Sequence, residues 1–358
     1  MKRLRLNGII SISGLIVILI LSSCANSNSA EQATPVPLPL VEEEPVEIIT
    51  LPLYTAPLTG LPIEEPSIAR PIAVMINNAP AARPQTGLSK ADIIYEVLAE
   101  GGITRLIAIY QSQNDAVAVG PIRSIRPYLI EIGDLYNGLL VHAGGSPDAY
   151  SILQKQKKDD LDEIGKAGSF FWRDKSRKAP HNLYSDTDKL REGAEQLGYA
   201  QEVEIPTYPF RSEYEVVTGE NAEKVDITFQ LKDYTVSYEY DESTKLYKRF
   251  INNKSHIDLM NNVPLETANV IIMGADHRVL DDVGRLSVDL DLGGEALILQ
   301  HGKLIRGNWI HTQDDVIRFV KDNQEIPLLP GNTYINIVPN EPTFDSHVTV
   351  SNPSSLLE

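Results

Sequence analysis

The sequence Ile72-Ala-Val-Met-Ile76 begins the part of the chain that decides the fold. Two more apolar segments follow it closely, Ile93-Ile-Tyr-Glu-Val-Leu98 and Ile103-Thr-Arg-Leu-Ile-Ala-Ile-Tyr110, with Glu100-Gly101-Gly102 between them. Short runs rich in Ile and Val and bounded by Gly or Pro are typical of buried strands. The sequence therefore predicts the centre of a β-sheet in this region.

Helical signals surround these strands. Residues 127–136 carry apolar residues at helical spacing, and residues 186–197 form a second periodic segment that ends before Gly198. Ser146-Pro147-Asp148 predicts the start of a third helix, with Ser146 as N-cap and Pro147 at the first helical position. This helix follows the predicted strand Leu139-Leu-Val-His142 and two glycines.

Strands dominate the second half of the chain. Residues 225–231 and 235–240 alternate apolar and polar side chains, and residues 241–244 join the second of these strands to residues 246–251 as a hairpin. Helices cluster in the first half, so the pattern favours an α+β fold over alternating βαβ units. We expect an N-terminal α+β domain over residues 67–205 and a C-terminal β-rich domain over residues 206–350.

The first residues predict export and lipidation. Lys2, Arg3 and Arg5 precede an apolar run over residues 9–21 that is too short to span a bilayer, so residues 1–23 are typical of a signal peptide. Leu21-Ser-Ser-Cys24 resembles the site at which bacterial prolipoproteins are acylated and cleaved. We expect Cys24 to carry a diacylglycerol, whose two acyl chains anchor the protein stably on the extracytoplasmic face of the cell membrane.

Residues 24–66 are predicted to be a disordered tether. They contain no Lys or Arg, several Glu and many Pro, and prolines exclude a helix or a central strand. A Pro-rich chain extends by about 3.1 Å per residue, so the tether would hold the folded part away from the membrane.

Composition excludes several classes of protein. The 358 residues include 32 Lys and Arg, 49 Asp and Glu and one cysteine, with a formal net charge of −17. One cysteine excludes a disulfide framework and a Cys-rich metal site, and the negative charge argues against nucleic acid as a partner. The charge is uneven, because residues 70–182 carry +2 and residues 183–358 carry −15.

Loops of the near-neutral segment collect charged residues that would suit an anionic ligand. Guanidinium groups bind carboxylate or phosphate through two parallel hydrogen bonds. The candidate ligand-binding residues are Arg83, Glu96, Glu100, Arg105, Arg123, Arg126, His142, Arg173, Arg177 and His181.

Structural roles compete with this interpretation. Glu96 and Glu100 could instead form buried ion pairs with Arg105, Arg123 or Arg126, and the two histidines could be packing or turn residues. The sequence lacks the motifs of common nucleophiles, so no catalytic residue is assigned. No cofactor and no metal site is expected, since Asp276-His277 and its acidic neighbours are typical of solvated turns. Trp172 and Trp309 suit sugar stacking and simple packing equally.

A set of ordered motifs resembles the YerB-like lipoprotein family of mainly Gram-positive bacteria. They include Arg70-Pro-Ile-Ala-Val-Met-Ile-Asn77, Gly120-Pro-Ile-Arg-Ser-Ile-Arg-Pro127 and Leu329-Pro-Gly-Asn-Thr-Tyr-Ile-Asn-Ile-Val-Pro339. The resemblance covers about residues 60–345, although Gly307-Asn-Trp309 departs from the Gly-Thr-Trp expected there. It implies a three-layer, sandwich-like arrangement of two mostly antiparallel sheets with a helical layer. It implies no catalytic residue, because the family's N- and C-terminal parts are domains of unknown function.

Three functional hypotheses follow. The first is a binding or accessory protein of the cell envelope that recognises peptidoglycan, an anionic wall polymer or a wall-synthesis protein through the arginine-rich loops. The second is a wall-active hydrolase or transferase that uses Glu96 or Glu100 with His142 as acid–base groups. The third is a purely structural partner of another membrane protein, which would expose a large apolar patch.

Overall fold

The computed structural model of the chain describes residues 54–113, 115–212, 214–313 and 315–352. The predicted signal peptide, residues 1–23, and the predicted lipidation site Cys24 lie outside these residues. Within the described ranges, no helix is long and apolar enough to cross a membrane.

Strands make up most of the regular structure, as the second half of the sequence predicts. In chain order the described strands are β1 (Tyr54–Thr55), β2 (Pro62–Ile63), β3 (Ile72–Asn77), β4 (Ile93–Leu98), β5 (Thr104–Tyr110), β6 (Ala118–Val119), β7 (Leu139–His142), β8 (Asp160–Asp162), β9 (Trp172–Arg173), β10 (Leu183–Asp186), β11 (Glu220–Asn221), β12 (Lys224–Thr228), β13 (Thr235–Asp241), β14 (Leu246–Ile251), β15 (Lys254–Ser255), β16 (Glu266–Thr267), β17 (Asn269–Ala275), β18 (His277–Val279), β19 (Leu286–Val288), β20 (Gly294–Gln300), β21 (Lys303–Ile310), β22 (Arg318–Lys321), β23 (Gln324–Glu325), β24 (Thr333–Pro339) and β25 (Val348–Ser351).

The described residues form three α-helices, and all three lie before residue 200, within the predicted N-terminal range. They are α1 (Pro127–Asp134), α2 (Pro147–Gln156) and α3 (Thr187–Gln196). Ser146 caps α2 by accepting a hydrogen bond from the Ala149 amide at 3.2 Å, and Asp186 caps α3 in the same way. Each cap satisfies a backbone N–H that the first helical turn leaves free, which is why both helices begin where the sequence predicts.

The largest sheet has twelve strands and joins the two halves of the chain. Its order is β23-β22-β21-β20-β17-β24-β4-β5-β3-β7-β8, and β11 pairs with β21. Strand β24 pairs in parallel with β17 on one side and with β4 on the other. The predicted N- and C-terminal ranges therefore share one sheet, and their apolar residues form one core cluster.

The central strands are buried along their whole length. Every residue of β3, β4, β5, β17 and β24 is buried. Strands covered on both faces read as continuous apolar runs, which explains the uninterrupted segments in the sequence. Seven of the eleven strand pairs in this sheet are antiparallel and four are parallel, so the large sheet is mixed but mostly antiparallel, as expected.

The second sheet is antiparallel, as expected. It has six strands in the order β15-β14-β13-β12-β25, with β16 on β14. A three-stranded sheet, β6-β10-β9, lies beside the arginine-rich loops, and two further pairs are β1-β2 and β18-β19. The predominance of strands with three helices confirms the α+β class.

The last residues of the predicted tether, 54–66, belong to the folded part of the chain. Strands β1 and β2 form a hairpin, and Gly60 in its turn has a positive φ. Two residues of the turn are buried, since Ala56 is 1% exposed and Leu58 is 0% exposed. The prolines here occupy a strand and a turn, positions that tolerate a missing N–H, and Leu58 is buried in the main core. Disorder is therefore wrong for residues 54–66, while residues 24–53 lie outside the described part of the chain.

Candidate functional site

The segment from Gly120 to Arg126 crosses the ends of two central strands. Its backbone is fixed by hydrogen bonds from the Arg123 amide to the Met75 carbonyl of β3 at 2.8 Å and from the Ala143 amide to the Arg123 carbonyl at 3.1 Å. Ala143 directly follows β7. The crossing brings Arg123 and Arg126 close to Arg105, which is the second residue of β5 and pairs with Asn77 in the neighbouring strand β3.

Two of these arginines have free hydrogen-bond donors. Arg105 is 7% exposed and donates from Nη1 to the Ser124 carbonyl at 3.2 Å, but its Nε is buried without a partner. Arg123 is partly buried, its Nε is buried without a partner, and its guanidinium forms no ion pair or hydrogen bond with the described residues. Unpaired buried donors are uncommon because each costs free energy comparable to a lost hydrogen bond.

The positive charges of this group repel one another. Burial, followed by the charges of Arg123 and Arg126, lowers the pKa of Arg105 to about 10. Burial and the charge of Arg126 also lower the pKa of Arg123. Both side chains remain cationic at neutral pH, so the protein keeps like charges together in a partly desolvated place. A bound anion would remove this repulsion.

Glu100 neutralises one of the three cations. Its carboxylate accepts a hydrogen bond from Arg126 Nε in a partly buried ion pair. Burial alone would raise the pKa of Glu100, but the hydrogen bond and charge of Arg126 lower it overall. Of the ion pairs left open as a structural alternative for Glu100, the structure has the one with Arg126, and Arg105 and Arg123 are left as the excess positive charge. We refer to Arg105, Arg123 and Arg126 as the arginine cluster.

His181 lies beside this cluster. Asn77 Nδ2 donates to His181 Nδ1 at 2.8 Å, so that ring nitrogen carries no proton. Partial burial, then the charges of Arg123 and Arg177, lower the pKa of His181 and keep the ring neutral. His181 Nε2 is therefore a hydrogen-bond donor at the border of the arginine cluster.

Three other predicted arginines are occupied by structural contacts. Arg177 donates to the carbonyls of Ala82 and Pro84 at 2.8 and 2.7 Å. Arg173 is exposed and bonds Glu163 at 2.8 Å and Asn182 at 3.2 Å. Arg83 bonds the Asn78 carbonyl and lies over the ring of Tyr234. These side chains position loops around the cluster and have fewer free donors than Arg123.

Glu96 lies in a different, fully buried network. Its carboxylate pairs with Arg249, and both side chains are 0% exposed. It also accepts hydrogen bonds from Thr104 and Tyr234, each at 2.6 Å, and from Asn78 at 3.1 Å. Glu96 thus forms a buried structural ion pair, the alternative that the sequence left open, but the partner is Arg249 of the neighbouring antiparallel sheet and not Arg105, Arg123 or Arg126.

His142 is buried at the end of β7. Its Nδ1 lies 3.0 Å from the Gly144 carbonyl, and Asp162 Oδ1 is 3.7 Å away. Its Nε2 has no well-aligned hydrogen-bond partner, although Asp160 Oδ2 lies 3.3 Å away. The carboxylates beside His142 are therefore two aspartates that the sequence analysis did not single out.

The structure divides the predicted residues into three places. Glu100, Arg105, Arg123 and Arg126 come together. His181 lies close enough to Arg123 and Arg177 for their charges to affect its pKa. Glu96 and His142 each lie in a separate buried network, and the hydrogen-bond partners of Glu96, Glu100 and His142 do not overlap. No described group of three or more His, Cys, Asp or Glu is placed to hold a metal ion.

Sequence reasoning missed Arg249, although a signal was present. In the strand Leu246-Tyr-Lys-Arg-Phe-Ile251, alternation places Arg249 on the same face as Tyr247 and Ile251. An arginine between two core residues of one strand face must be paired to be tolerated there. The partner could not be inferred, because it lies 153 residues away in sequence.

Several cavities of the described part of the chain are lined by residues other than the arginine cluster. One of about 940 Å³ is lined by residues from α1, the loop over residues 204–207 and the region of His311. It includes Glu131, Asp134 and Asp291, and it contains none of the three arginines.

Comparisons with known proteins agree with the resemblance seen in the motifs. A family model described as the N-terminal domain of a protein of unknown function, DUF3048, matches residues 58–200, and the C-terminal domain model of the same family matches residues 225–335. A Bacillus subtilis (strain 168) protein named as the candidate lipoprotein YerB is 38% identical over 288 residues, which are 80% of this chain and 86% of the relative.

A solved structure is also similar. The crystal structure of the YerB protein from Bacillus subtilis aligns with a TM-score of 0.76 at 38% identity, covering 84% of this chain and 100% of the other. Sequence and fold therefore agree over most of the chain. On this evidence the chain belongs to the family of YerB-like lipoproteins, whose two DUF3048 domains have no assigned function.

Proposed function

We propose that this protein is a lipid-anchored binding or accessory protein of the cell envelope, held by Cys24 on the extracytoplasmic face of the membrane. The arginine cluster would recognise an anionic group of a wall component. One observation carries the proposal: the Arg123 guanidinium is partly buried beside two other arginines and has no hydrogen-bond or ion-pair partner among the described residues. An anion supplies the missing acceptors and the missing negative charge.

The charge distribution narrows the kind of ligand. Residues 183–358 carry −15, so about half of the chain repels a long polyanion that would lie across the surface. The cluster itself has an excess of two positive charges after Glu100 neutralises Arg126. This contrast favours a single phosphate or carboxylate group that is presented at one point of the ligand.

The test is binding of the full chain, purified in detergent, to isolated cell-wall sacculi and to inorganic phosphate by titration calorimetry. Arg123→Ala should reduce both by about tenfold or more, since charge-assisted hydrogen bonds contribute about 1.5–3 kcal/mol. Arg278→Ala is the matched control, because Arg278 is an exposed arginine distant in sequence from the cluster.

Two outcomes would overturn the proposal. The first is equal binding by the wild-type chain and the Arg123→Ala variant, with both folded as judged by circular dichroism. The second is an equal loss of binding in the Arg278→Ala variant, which would indicate a general charge effect in place of a site. Capture of an envelope protein, independent of the arginines, would instead support the partner hypothesis.

A further inference from the structure

An aromatic pair lies on the small sheet next to the arginine-bearing segment. Trp172 on β9 is paired in register with Tyr184 on β10. Their rings are stacked, with centroids 6.3 Å apart and an angle of 22° between the planes. The Trp172 side chain is exposed, with 38% of its surface accessible. It therefore presents an aromatic surface to solvent while Tyr184 supports it from below.

Glycine at position 120 lets the arginine segment lie close to this pair. Gly120 has φ near +151°, and a Cβ there would come within 2.6 Å of Tyr184 Cδ1 and 2.7 Å of the Leu183 carbonyl. The next residues continue along β10, since the Ile122 amide donates to the Leu183 carbonyl at 2.8 Å. Arg123 follows directly, so the aromatic pair and the arginine cluster are connected through one short, rigid segment.

Polar side chains lie next to Trp172 along the chain. Its neighbour Arg173 pairs with Glu163 at 2.8 Å and bonds Asn182 Oδ1 at 3.2 Å. Asn182 is next to His181, whose charge environment includes Arg123. The series from Trp172 through Asn182 and His181 to Arg123 thus combines an apolar ring, donors and a carboxylate acceptor.

This combination is suited to a saccharide. The C–H face of a sugar ring packs on an aromatic ring, and its hydroxyls both donate and accept hydrogen bonds, which a rim of arginine, amide and carboxylate groups can satisfy. Packing explains Trp309 fully, because it is 1% exposed and donates to the Gly274 carbonyl at 2.8 Å, but it does not explain the exposed Trp172.

We propose that the ligand is an anionic saccharide, whose sugar ring stacks on Trp172 while its phosphate or carboxylate binds the arginine cluster. This inference rests on the proposed function and adds the chemical class of the ligand. It also assigns Trp172 as a binding residue that determines the preference for a sugar over a simple anion.

The experiment compares three probes by titration calorimetry with the full chain: inorganic phosphate, N-acetylglucosamine 1-phosphate and adenosine monophosphate. We expect the sugar phosphate to bind at least about tenfold more tightly than phosphate, a difference of about 1.4 kcal/mol. Trp172→Ala should remove this preference, whereas the control Arg278→Ala should keep both the preference and the affinity for phosphate. Trp172→Phe should retain part of it, because the aromatic surface is kept.

The outcomes separate this inference from the proposed function. Equal affinity for phosphate and sugar phosphate, or an unchanged preference in Trp172→Ala, overturns the saccharide assignment while Arg123-dependent phosphate binding still stands. Tighter binding of adenosine monophosphate than of the sugar phosphate would assign Trp172 to base stacking and overturn it too. Absence of phosphate binding in the wild-type chain would overturn the proposed function itself.

Fluorescence provides an independent readout, because the chain has two tryptophans. Trp172 is exposed and Trp309 is buried, so iodide should quench Trp172 selectively. Saturating sugar phosphate should protect the wild-type chain from quenching, whereas saturating phosphate should protect it much less. Equal protection by both ligands would contradict stacking on Trp172.

Discussion

The carboxylate of Glu96 and the guanidinium of Arg249 form an ion pair that joins the large sheet to the six-stranded sheet, and neither side chain is exposed. Glu96 is on β4, in the N-terminal range, and Arg249 is on β14, in the C-terminal range. Arg249 also donates to His256 Nδ1 and Tyr238, and its guanidinium lies over the ring of Tyr334. The two halves therefore depend on each other for the pairing of a buried charge.

Glu96→Gln should lower the free energy of unfolding by about 3–5 kcal/mol, because it leaves the Arg249 cation buried without a counter-charge. Glutamine has nearly the same shape and keeps an oxygen that can accept the hydrogen bonds of Thr104 and Tyr234. The lost stability therefore reports mainly the missing negative charge and only to a small extent a change in packing. Urea denaturation of the wild type and the variant gives this difference.

A double-mutant cycle tests the same pair. Glu96→Gln combined with Arg249→Met should cost less than the sum of the two single changes, since the double variant has no unpaired charge. The exposed pair of Arg306 and Glu220, 3.4 Å apart, is the control, and Glu220→Gln should change stability by at most about 1 kcal/mol. Strict additivity at residues 96 and 249 would contradict the interdependence of the halves.

Much of the fold could be predicted because its signals are local. The continuous apolar runs of β3 and β4 indicate strands buried on both faces, and the caps of α2 and α3 fix where those helices begin. The pairing of β24 with both β17 and β4 could not be predicted, since no local pattern specifies which distant strands become neighbours. The hairpin at residues 54–63 was missed because a proline-rich composition predicts disorder.

The sequence predicted which residue types form the candidate site, but it predicted only in part which of those residues lie together. Arginines in the loop over residues 120–126 indicate an anion site, and three of the predicted residues do come together with Glu100. Glu96 was grouped with them because it is close in sequence, but it lies on the interior of β4 and faces the second sheet. Alternation along a strand shows which side chains share a face, but it does not show which sheet packs against that face. The sequence therefore leaves the partner of Glu96 open.

Glu100→Gln should strengthen phosphate binding and weaken stability above pH 4.5. Arg126 lowers the pKa of Glu100 below its ordinary value of 4.5, so the carboxylate stabilises the fold above that pH and loses this contribution as the pH falls through the lowered pKa. The stability difference between wild type and variant should therefore shrink in acid. Phosphate affinity at pH 7 should rise severalfold, because Arg126 no longer has a competing partner. Weaker phosphate binding would show that the pair positions Arg126 for the ligand.

His181 should report occupation of the arginine cluster. Partial burial and the charges of Arg123 and Arg177 lower its pKa in the free protein, so Arg123→Ala should raise that pKa. Saturating phosphate should raise it as well, by neutralising the same charge. A pH titration of the imidazole proton resonances by NMR measures both effects, and Arg278→Ala should leave the resonance unchanged. A pKa that does not respond to phosphate would place the anion elsewhere.

Ionisation of Glu131 should lower the free energy of unfolding as the pH rises. Loss of hydration, followed by the charges of Asp291 and Asp134, raises the pKa of Glu131 to about 7. Because the folded pKa is above the ordinary value, stability is lost between about pH 4.5 and 7, and Glu131→Gln should remove that loss. For a buried group, each unit of pKa shift corresponds to roughly 1.4 kcal/mol of stability. The Glu131 side chain is exposed, so the free energy of unfolding that Glu131→Gln gains at pH 8 should be smaller than this conversion gives. Thermal melts at pH 5 and pH 8 measure it, with the exposed Glu295→Gln as control.

Leu58→Ala should destabilise the protein by about 2–5 kcal/mol if residues 54–63 belong to the folded unit. Leu58 is fully buried in the core, and Ala56 and Gly60 close the turn around it through a backbone hydrogen bond of 2.8 Å. A leucine in a disordered tether would lose nothing on truncation, so the two interpretations predict different results for one substitution. Leu61→Ala is the matched control, because Leu61 lies in the same hairpin with 44% of its surface exposed. Urea denaturation that shows the same small effect for both variants would return residues 54–66 to the tether, whereas a large effect at Leu58 alone requires that the folded unit begins before residue 58.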